Sequence, residues 1–349
     1  MADTLRIGLI GAGANTRLRH IPGFQALDGV EVVAVCNRTD QSGHRIADEF
    51  GIDRVETDPE ALFGSPDIDA ICIGTWPYRH REFVVRALAA GKHVLTEARM
   101  AMDATEAREM LAAAQARPDL VAQIVPGPFD LKSYQTVQRL IRDGALGAIR
   151  EVHVSALSGA ALNPDTPLHW REQRQFSGTN VMTFGIYVEI VTRWLGPTRR
   201  VLADGAVFVD SRIDAASGER RSIDVPDSLG VFAQLESGAR VTYRFGSTLH
   251  APPAGAASNG ISVYGERGTL HWAANDTMQF APLGQDAQPL EPDAGTAEEW
   301  RVEADFVDSI RNGAPVRLTN FEDGLAYMRV TEAADRSRAT GRAVDIADV

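Results

Sequence analysis

Short apolar runs alternate with amphipathic segments along the first third of the chain. The apolar runs are rich in β-branched residues and read LRIGLI, VEVVAVC, DAICIG, HVLT and LVAQIV. The segments between them repeat apolar residues at the spacing of a helix face, as at Phe83, Val84 and Leu88. Strands that alternate with helices predict a parallel sheet with helices on both faces.

After about Val125 the pattern is dominated by strands. They read IREVHVSAL, RRVLADGAVFV, SLGVFAQLE, ARVTYRFG, GISVYG and TLHWA, and short breaks such as SGA and GERG separate some of them. Breaks of this length favour hairpins and therefore an antiparallel sheet. Three helical patterns accompany the strands: VMTFGIYVEIVTRWLG, AEEWRVEADFVDSIRNG and FEDGLAYMRVTEAADRSRATG. We expect an exposed loop at APPAGAASNG, residues 251–260.

The change of pattern also predicts how the chain divides. At 349 residues the chain is long enough for two domains. We place an α/β domain with a parallel sheet over residues 1–124. A second α/β domain with a mainly antiparallel sheet then covers residues 125–349.

The net charge excludes some classes of partner, and the cysteine content indicates the cellular compartment. The chain has 47 acidic and 35 basic residues, a net charge of -12, and no dense run of Lys or Arg. We therefore expect no nucleic-acid and no membrane partner. Cys36 and Cys72 fit a reducing compartment better than a disulfide framework. No apolar run approaches the roughly 20 residues of a membrane span, and the N-terminus lacks a signal-peptide pattern, so we expect a cytoplasmic protein.

A glycine-rich turn follows the first strand, in the stretch IGLIGAGANTRLRH. Gly11 and Gly13 allow a tight turn whose backbone amides can approach a pyrophosphate at the start of the next helix. Thr16 stands at the usual third glycine position. Asn15 and Thr16 can hydrogen-bond a phosphate, and Arg17 can add a positive charge. The turn predicts a dinucleotide site; the alternative is an ordinary strand–helix turn.

The end of the second strand bears on the choice between NAD and NADP. NAD-specific enzymes usually place an acidic residue there for the ribose diol, whereas this chain has Asn37 followed by Arg38. Asn37 lacks the negative charge, and Arg38 could bind a 2′-phosphate. The pattern favours NADP over NAD, with the alternative that Arg38 is solvated or stacks on adenine.

Over nearly its full length the chain resembles the Gfo/Idh/MocA family of two-domain oxidoreductases. The resemblance rests on GAGANTRLRH, GTWPYRHREFVVRALAAGKHVLTEA, LIRDGALGAIREVHV and HWREQRQFSGTNVMTFGIYVEIVTRWLG. It implies a Rossmann domain joined to an α/β domain whose open, mainly antiparallel sheet often mediates oligomers, so we expect a dimer or tetramer. It also implies an enzyme that binds NAD or NADP and oxidises or reduces sugars, polyols or related alcohols.

This chain departs from the family at its acid/base lysine. The family pattern after GKHVL is Glu-Lys-Pro, and its lysine carries protons or polarises the reacting hydroxyl. Here Glu97, which the resemblance assigns to the cofactor site, is kept, while Ala98 and Arg99 replace the lysine and the proline. Only two lysines are present in the chain, and we interpret one of them, Lys92, as a turn or surface residue.

A second family motif usually offers an aspartate and, four residues later, a histidine. These positions hold Thr183 and Tyr187, which would share one helix face. Glucose-fructose oxidoreductase and its relatives also have tyrosine at the position of Tyr187. A tyrosine can act as an acid/base if a nearby cation lowers its pKa from about 10, and Arg99 is the candidate cation. The alternative places Arg99 in an exposed salt bridge.

Three further residues are candidates on the substrate side. Asn180 could bind a substrate hydroxyl or could cap the following helix. His169 could supply the acid/base that the chain otherwise lacks, or it is a structural or surface histidine. Trp170 belongs to a Trp-Arg pair that is common at this place in the family.

The fourth strand ends in residues that resemble the cofactor side of the family. Thr75 and Trp76 lie where open α/β sheets bind ligands, and Trp76 could stack on nicotinamide or a sugar ring. His80 is expected to pack beneath the nucleotide. No Cys, His or carboxylate cluster has the spacing of a metal site, and we expect Glu189 and Arg193 to form an intrahelical ion pair.

The simplest mechanism is hydride exchange at a carbinol carbon, with Tyr187 or His169 handling the proton. Loss of the lysine leaves two alternatives open. In one, bound NAD(P) is used transiently for net glycoside cleavage, elimination or hydration. In the other, the protein is a non-catalytic sensor of nucleotide or sugar.

Overall fold

The computed structural model describes residues 4–250, 259–295 and 299–349. One compact unit, the N-terminal unit, comprises the described residues up to Pro126 together with Arg301–Leu325, and the remaining described residues form the C-terminal unit. Residues 251–258 of the expected loop lie outside the described residues, and Gly260 already belongs to a strand.

The N-terminal unit is built on a six-stranded sheet in which every pair is parallel. The strand order is β3-β2-β1-β4-β5-β6, so the order reverses beside β1, where ligands bind in open α/β sheets. The predicted parallel sheet is confirmed. Its strands are β1 (Leu5–Ile10), β2 (Val30–Cys36), β3 (Arg54–Glu56), β4 (Ala70–Ile73), β5 (His93–Thr96) and β6 (Ala122–Ile124).

Helices connect these strands, and their ends follow local side-chain chemistry. The Asp103 carboxylate accepts a hydrogen bond from the backbone N–H of Glu106 (2.9 Å), which fixes the start of the fifth helix. A π-helical turn, Thr16–His20, precedes the first helix. The helices are α1 (Ile21–Gln25), α2 (Asp40–Phe50), α3 (Glu60–Phe63), α4 (His80–Ala89) and α5 (Ala104–Gln115).

The C-terminal unit contains a nine-stranded sheet in the order β16-β15-β14-β13-β7-β12-β11-β8-β17. Its pairs are antiparallel except β7 with β12, and the hairpins predicted at SGA and GERG are confirmed. A two-stranded sheet, β9 with β10, completes the strands. The bounds are β7 (Ile149–Leu157), β8 (Thr198–Ala206), β9 (Ser211–Ile213), β10 (Arg220–Ser222), β11 (Ser228–Leu235), β12 (Arg240–Gly246), β13 (Gly260–Gly265), β14 (Gly268–Ala273), β15 (Met278–Pro282), β16 (Gln288–Leu290) and β17 (Val344–Asp345).

Among the described residues of this unit, one α-helix comes before β7 in the chain and two lie between β7 and β8. They are α6 (Tyr134–Arg142), α7 (Arg174–Ser177) and α8 (Phe184–Leu195). The helix predicted from Val181 begins three residues later, because Met182 has a positive φ of 45° and cannot continue a helix. The Phe184 ring then packs edge-on against Tyr243, with the ring centroids 5.2 Å apart.

A late segment of the chain completes the N-terminal unit. It contains α9 (Val302–Asn312) and the start of α10 (Phe321–Thr340). Phe306 packs edge-on against Phe24, with ring centroids 6.3 Å apart, and Thr319 exchanges backbone hydrogen bonds with Ile124. The sequence-based division at residue 124 left this segment in the second domain. Its placement depends on residues that are distant along the chain, so no local pattern records it.

Candidate nucleotide and catalytic site

The glycine turn after β1 fits closely against the end of β4. Gly11 has a φ of +83°, and a Cβ there would lie 2.7 Å from Cγ2 of Thr75. A Cβ on Gly74 would lie 2.1 Å from the Thr16 hydroxyl oxygen. Side chains at either glycine would push the turn away from the sheet, so the sequence keeps both positions bare.

A cavity of about 700 Å³ opens in front of this turn. Its lining comes from the turn itself and from the ends of β2 and β4, at the edge of the sheet where the strand order reverses. The Thr75 hydroxyl oxygen is buried and has no hydrogen-bond partner among the described residues. Six predicted cofactor residues line the cavity: Gly11, Gly13, Asn37, Arg38, Thr75 and Trp76.

Bare backbone, a positive-φ glycine and an unsatisfied buried hydroxyl together fit a dinucleotide. In the βαβ folds that bind such ligands, the pyrophosphate is held by backbone N–H groups at this turn. The cavity would then extend toward the ends of β2 and α2 for the ribose and adenine.

The three polar side chains predicted to face the phosphates have other partners. The Thr16 hydroxyl donates to a carbonyl oxygen within the turn (3.2 Å). The Asn15 amide donates to Oε1 of Glu97 (2.5 Å), and Arg17 forms an exposed ion pair with Glu49 (2.8 Å). Because the N–H groups of Gly11 and Ala12 donate to Cys36 and Asn37, the backbone amides from Gly13 onward are the groups of the turn available to a phosphate.

The residues that follow β2 include a positively charged side chain, Arg38, and no acidic side chain before Asp40. The Asn37 side chain is used internally: its oxygen accepts the Ala12 N–H (2.8 Å) and its amide donates to the carbonyl of Ser42 (3.1 Å). Arg38 is exposed and makes no ion pair or hydrogen bond with a described residue. Arg45 also lines the cavity, and no carboxylate does so within the described part of the chain.

A buried row of ionisable side chains lies behind the turn. Oε1 of Glu97 is 3.1 Å from Nε2 of His20, and Nδ1 of His20 is 2.5 Å from Oε1 of Glu303 on α9. Burial acts to lower the pKa of His20, but the hydrogen bonds to Glu303 and Glu97 outweigh it and raise this pKa to about 9. Burial acts to raise the pKa of Glu97, but the hydrogen bond from His20 and its charge lower it overall.

His80 ties the end of β4 to the turn after β5. Its ring is fully buried, with Nε2 2.9 Å from the carbonyl oxygen of Thr75 and Nδ1 3.0 Å from that of Arg99. Burial lowers the pKa of His80 below the usual histidine value. His80 does not line the cavity; it supports the two turns that bound this edge of the sheet.

Two basic residues for which the sequence allowed an exposed position, Arg99 in one alternative and Lys92 as a turn or surface residue, are buried. The Arg99 side chain is only 4% exposed, so it does not lie in an exposed salt bridge. Lys92 is a turn residue, but its ammonium group is buried and donates to the carbonyl oxygens of Ser65 and Ile68, each at 2.7 Å. Satisfying these two carbonyls in the interior is what holds the lysine away from solvent.

Tyr187 lies among aromatic rings of the C-terminal unit. Its ring centroid is 5.6 Å from that of Phe129 and 5.5 Å from that of Phe245, and the side chain is 2% exposed. Burial raises the pKa of Tyr187 to about 12. The expectation of a lowered pKa is therefore contradicted, because desolvation of the phenolate dominates. The hydroxyl makes no hydrogen bond with a described residue, but it is not sealed from solvent as that of Tyr243 is.

The residues before α8 are also placed differently from the prediction. Thr183 is the N-cap residue of α8, one residue before the first helical position, and its carbonyl oxygen accepts the N–H of Tyr187 (3.2 Å). Asn180 does not cap α8; its amide donates to the carbonyl oxygen of Ser177 (2.7 Å) and the side chain is buried.

His169 has a local structural role in the C-terminal unit. Its Nδ1 accepts the N–H of Arg171 (3.2 Å), while its own backbone N–H donates to the Glu172 carboxylate (2.9 Å). His169 and Glu172 thereby form a capping box at the start of the short 3₁₀ helix Trp170–Glu172. Burial and the charge of Arg171 lower the pKa of His169. The Trp170 ring centroid is 5.6 Å from that of His169, and the Arg171 guanidinium carbon lies 4.3 Å from it, over the ring.

An ion network anchors α8. The predicted pair of Glu189 with Arg193 is confirmed. Sequence reasoning missed the third member: the fully buried Asp130 accepts hydrogen bonds from Arg193 (2.7 Å) and from the indole N–H of Trp194 (2.9 Å). Asp130 lies in the stretch PGPFD, which carries no local signal for this contact.

The described residues contain neither a cluster of metal ligands nor a membrane-spanning helix. No group of three or more His, Cys, Asp or Glu side chains could hold a metal ion in the described part of the chain. No helix among those residues is long and apolar enough to cross a membrane.

Comparison with known proteins gives matches over most of the chain. Residues 5–124 match the family described as "Oxidoreductase family, NAD-binding Rossmann fold", and residues 134–271 match the "GFO/IDH/MocA C-terminal domain".

Relatives of assigned activity match the chain from end to end. A dTDP-3,4-didehydro-2,6-dideoxy-alpha-D-glucose 3-reductase from Streptomyces antibioticus is 30% identical, with 97% of each chain covered. A 1,5-anhydro-D-fructose reductase from Ensifer adhaerens is 28% identical, with 98% of each chain covered. The solved structure of a levoglucosan dehydrogenase with NADH and L-sorbose superposes with a TM-score of 0.87 over 98% of this chain and 99% of that one. At 20% identity this last likeness concerns the fold.

Proposed function

The chain belongs to the Gfo/Idh/MocA family of NAD-binding oxidoreductases, and on that premise we propose that it transfers a hydride between a nicotinamide nucleotide and a sugar, polyol or similarly hydroxylated small molecule. The observation that carries the proposal is the cavity in front of Gly11 and Gly13. Its bare glycine turn and unsatisfied Thr75 hydroxyl support nucleotide binding. The sugar reductases named among the relatives support the substrate class.

We assign separate roles to the residues that line the cavity and to Glu97, which follows β5. Backbone N–H groups of the glycine turn bind the pyrophosphate. The bound nucleotide supplies the hydride acceptor or donor. Glu97 offers Oε2 to a donor group of the ligand, because Asn15 and His20 hold only its Oε1. Trp76 is 38% exposed at the cavity and can cover a planar ring.

Tyr187 acts as a neutral phenol in this proposal. Because its pKa is raised to about 12, it donates a hydrogen bond to the reacting oxygen instead of acting as a phenolate base. Arg99 contributes fixed positive charge, since an arginine does not give up its proton. Thr183, Asn180 and Trp170 are proposed to contact the substrate, and His169 is retained only as a candidate proton carrier at an exposed turn.

Arg38 and Arg45 favour NADP over NAD. Both cations line the cavity near the end of β2, where no carboxylate of the described residues competes for a ribose hydroxyl. We expect Arg38→Ala to weaken NADPH binding about tenfold and to leave NADH binding unchanged. Arg108→Ala, an exposed change on α5 that does not line the cavity, is the matched control. Equal loss for both nucleotides would contradict the preference.

A homo-oligomer, a dimer or tetramer, forms through the open sheet of the C-terminal unit in this proposal. Phe232 on β11 is 65% exposed, and its cross-strand neighbour Leu202 on β8 is also exposed. An exposed apolar patch on a sheet face favours association. Light scattering should give a mass above one chain for the wild type and a lower mass for Phe232→Asp; a monomeric wild type would contradict it.

The activity is tested with a panel of sugars, polyols and their oxidised forms. Turnover is followed both by the absorbance of reduced nicotinamide and by mass spectrometry of the products. Net reduction of nucleotide with an oxidised product supports the proposal. Product formation without net change in the nucleotide would indicate its transient use in cleavage or elimination. Tight nucleotide binding without turnover across the panel would indicate a sensor.

A further inference from the structure

Glu97, His20 and Glu303 form a row in the N-terminal unit, and two of its members, His20 and Glu303, have no assigned role in the mechanism above. His20 is fully buried, and its two ring nitrogens lie 3.1 Å and 2.5 Å from carboxylate oxygens of Glu97 and Glu303. Glu303 is also buried, whereas Glu97 keeps some contact with solvent. The row therefore runs from the interior to the carboxyl edge of the sheet.

Two features show that the fold is built around this row. His20 ends the π-helical turn Thr16–His20, and such turns are rare and concentrate at functional sites. Gly23 on α1 leaves room for the partner carboxylate, since a Cβ there would lie 2.8 Å from the Glu303 carboxyl group. Burying three charged groups costs several kcal/mol each unless they are mutually paired. A row with these costs contributes little net stability, which favours a functional role for it.

Two carboxylates at the two ring nitrogens favour a doubly protonated His20, and the Asn15 amide, 3.3 Å from Nε2, is the neighbour from which a neutral Nε2 would accept. A carboxylate only accepts hydrogen bonds, so His20 satisfies both neighbours only when both of its nitrogens carry a proton. The other titratable groups close to the row are Cys72 on β4 and His80 at the start of α4. Burial raises the pKa of the Cys72 thiol and lowers that of His80, so both are neutral near neutral pH. The row then holds two negative charges and one positive charge.

This arrangement leaves one oxygen of Glu97 for a ligand. Asn15 and His20 both bind Oε1, and no described residue donates to Oε2. Glu97 directly follows β5, and its N–H donates to the last residue of β4 (3.0 Å). It therefore lies at the edge of the sheet where the cavity opens.

We propose that His20, clamped by Glu303, is a positioning residue that keeps Glu97 ionised and turned so that its Oε2 binds an N–H or O–H group of the nucleotide. The inference rests on the proposed function. When His20 loses a proton, its single N–H can serve only one of the two carboxylates. Either Glu97 or Glu303 then loses its hydrogen bond from His20, Glu97 is no longer held in place, and nucleotide binding weakens.

The pH dependence has a defined sign. His20 titrates above the ordinary histidine value, with a pKa of about 9, so the clamp is complete at neutral pH and is lost as the pH rises through about 9. The ordinary value of about 6.5 would instead place the loss below neutral pH. Glu97 has a lowered pKa, so its charge is retained down to acidic pH.

The test is NADPH binding by fluorescence from about pH 7 to pH 10, in the wild type and in Glu303→Gln. Gln keeps the shape and still accepts from His20 but removes the charge. We expect wild-type affinity to fall about tenfold with a midpoint near pH 9. In Glu303→Gln the midpoint should move down by about one pH unit or more, with affinity at pH 7 reduced accordingly. A merely structural role would lower thermal stability without moving the midpoint.

Asp305→Asn is the matched control. It removes a charge from the same helix, α9, where Asp305 pairs with Arg317 (2.7 Å) and does not contact His20. Its midpoint should equal that of the wild type. An identical midpoint in wild type and Glu303→Gln, or binding that does not depend on pH, would overturn the inference. Absence of NADPH binding at every pH would instead refute the proposed function, and the inference with it.

A second measurement needs no variant that might fail to fold. NMR of histidine-labelled wild-type protein follows the eight histidines of the chain through a pH titration. His20 should remain doubly protonated above pH 8 and titrate near 9. If every histidine of the folded protein titrates at or below about 6.5, the clamp does not exist.

Discussion

Single residues decide whether the nucleotide turn can close. Gly11 shows this at atomic scale, because its φ of +83° and its approach to Thr75 both exclude a Cβ. Sequence reasoning found this glycine from its place after the first strand. Gly74 faces the Thr16 hydroxyl across the turn, which leaves no room for a Cβ. The sequence could not predict this constraint, because it depends on the ends of β1 and β4 lying side by side in the sheet.

Gly11→Ala is expected to weaken NADPH binding at least tenfold. The new methyl group would lie 2.7 Å from the Thr75 side chain, so the turn must move away from the sheet. Gly51→Ala is the control: Gly51 has a similar positive φ of +68°, but no atom lies within 4 Å of the position that its new methyl group would take. Both variants carry backbone strain, and only the first carries the clash. Equal affinities in a calorimetric titration would contradict the account.

Tyr187 is the residue whose role changed most between sequence and structure. One hypothesis from the sequence required a nearby cation to lower the pKa of Tyr187, but burial raises this pKa to about 12. Tyr187→Phe should lower kcat about tenfold with little change in KM, since a hydrogen bond made in the transition state is removed. The wild-type rate should show no phenol titration below about pH 10.

Tyr243→Phe provides the matched control for that substitution. Its hydroxyl is sealed and has no hydrogen-bond partner in the described structure, although its ring packs against the same helix through Phe184. Turnover should be unchanged. If Tyr187→Phe also turns over at the wild-type rate on the best substrate of the panel, Tyr187 has no catalytic role.

At the scale of elements, α8 depends on an anchor that comes from outside the helix. Asp130 binds Arg193 and Trp194, which lie at the C-terminal end of α8. Arg193 also pairs with Glu189, one helical turn earlier. The helix and its internal ion pair were predictable from four-residue spacing. Its start was not, because the positive φ of Met182 has no signature in residue type, and Asp130 lies far from Arg193 in the chain.

Asp130→Asn should lower the stability of the C-terminal unit by about 3 kcal/mol, because Arg193 is left partly buried beside an uncharged partner. Urea unfolding followed by tryptophan fluorescence measures the change. Glu266→Gln makes the same chemical change in an exposed pair with Arg150 (2.9 Å) and should leave the unfolding midpoint unchanged within error. Equal effects of the two variants would show that Asp130 does not anchor α8.

The π-helical turn and α9 show a further limit of local patterns. His20 belongs to a turn that the sequence marked as a nucleotide site, yet its partners Glu97 and Glu303 come from the strand edge and from a segment near the end of the chain. Periodicity identified the helix that carries Glu303. It could not identify which unit that helix joins.

For the whole molecule, the fold class followed from the order of its patterns. Alternating strands and helices predicted the parallel sheet, and hairpin-spaced strands predicted the antiparallel one; both are confirmed. The reaction could not be predicted with the same detail. The residues that would carry protons depart from the family pattern at Ala98, Arg99, Thr183 and Tyr187, so chemistry had to be inferred from burial and hydrogen bonding.

This chain is a nicotinamide-nucleotide oxidoreductase of the Gfo/Idh/MocA family, and we propose that its cavity prefers NADP over NAD. Calorimetric titration of the freshly purified wild-type protein with NADPH and with NADH tests it most directly. We predict saturable binding of one nucleotide per chain, with NADPH bound about tenfold more tightly than NADH. Failure to bind either nucleotide, in protein shown to be folded and free of retained nucleotide, would contradict the account.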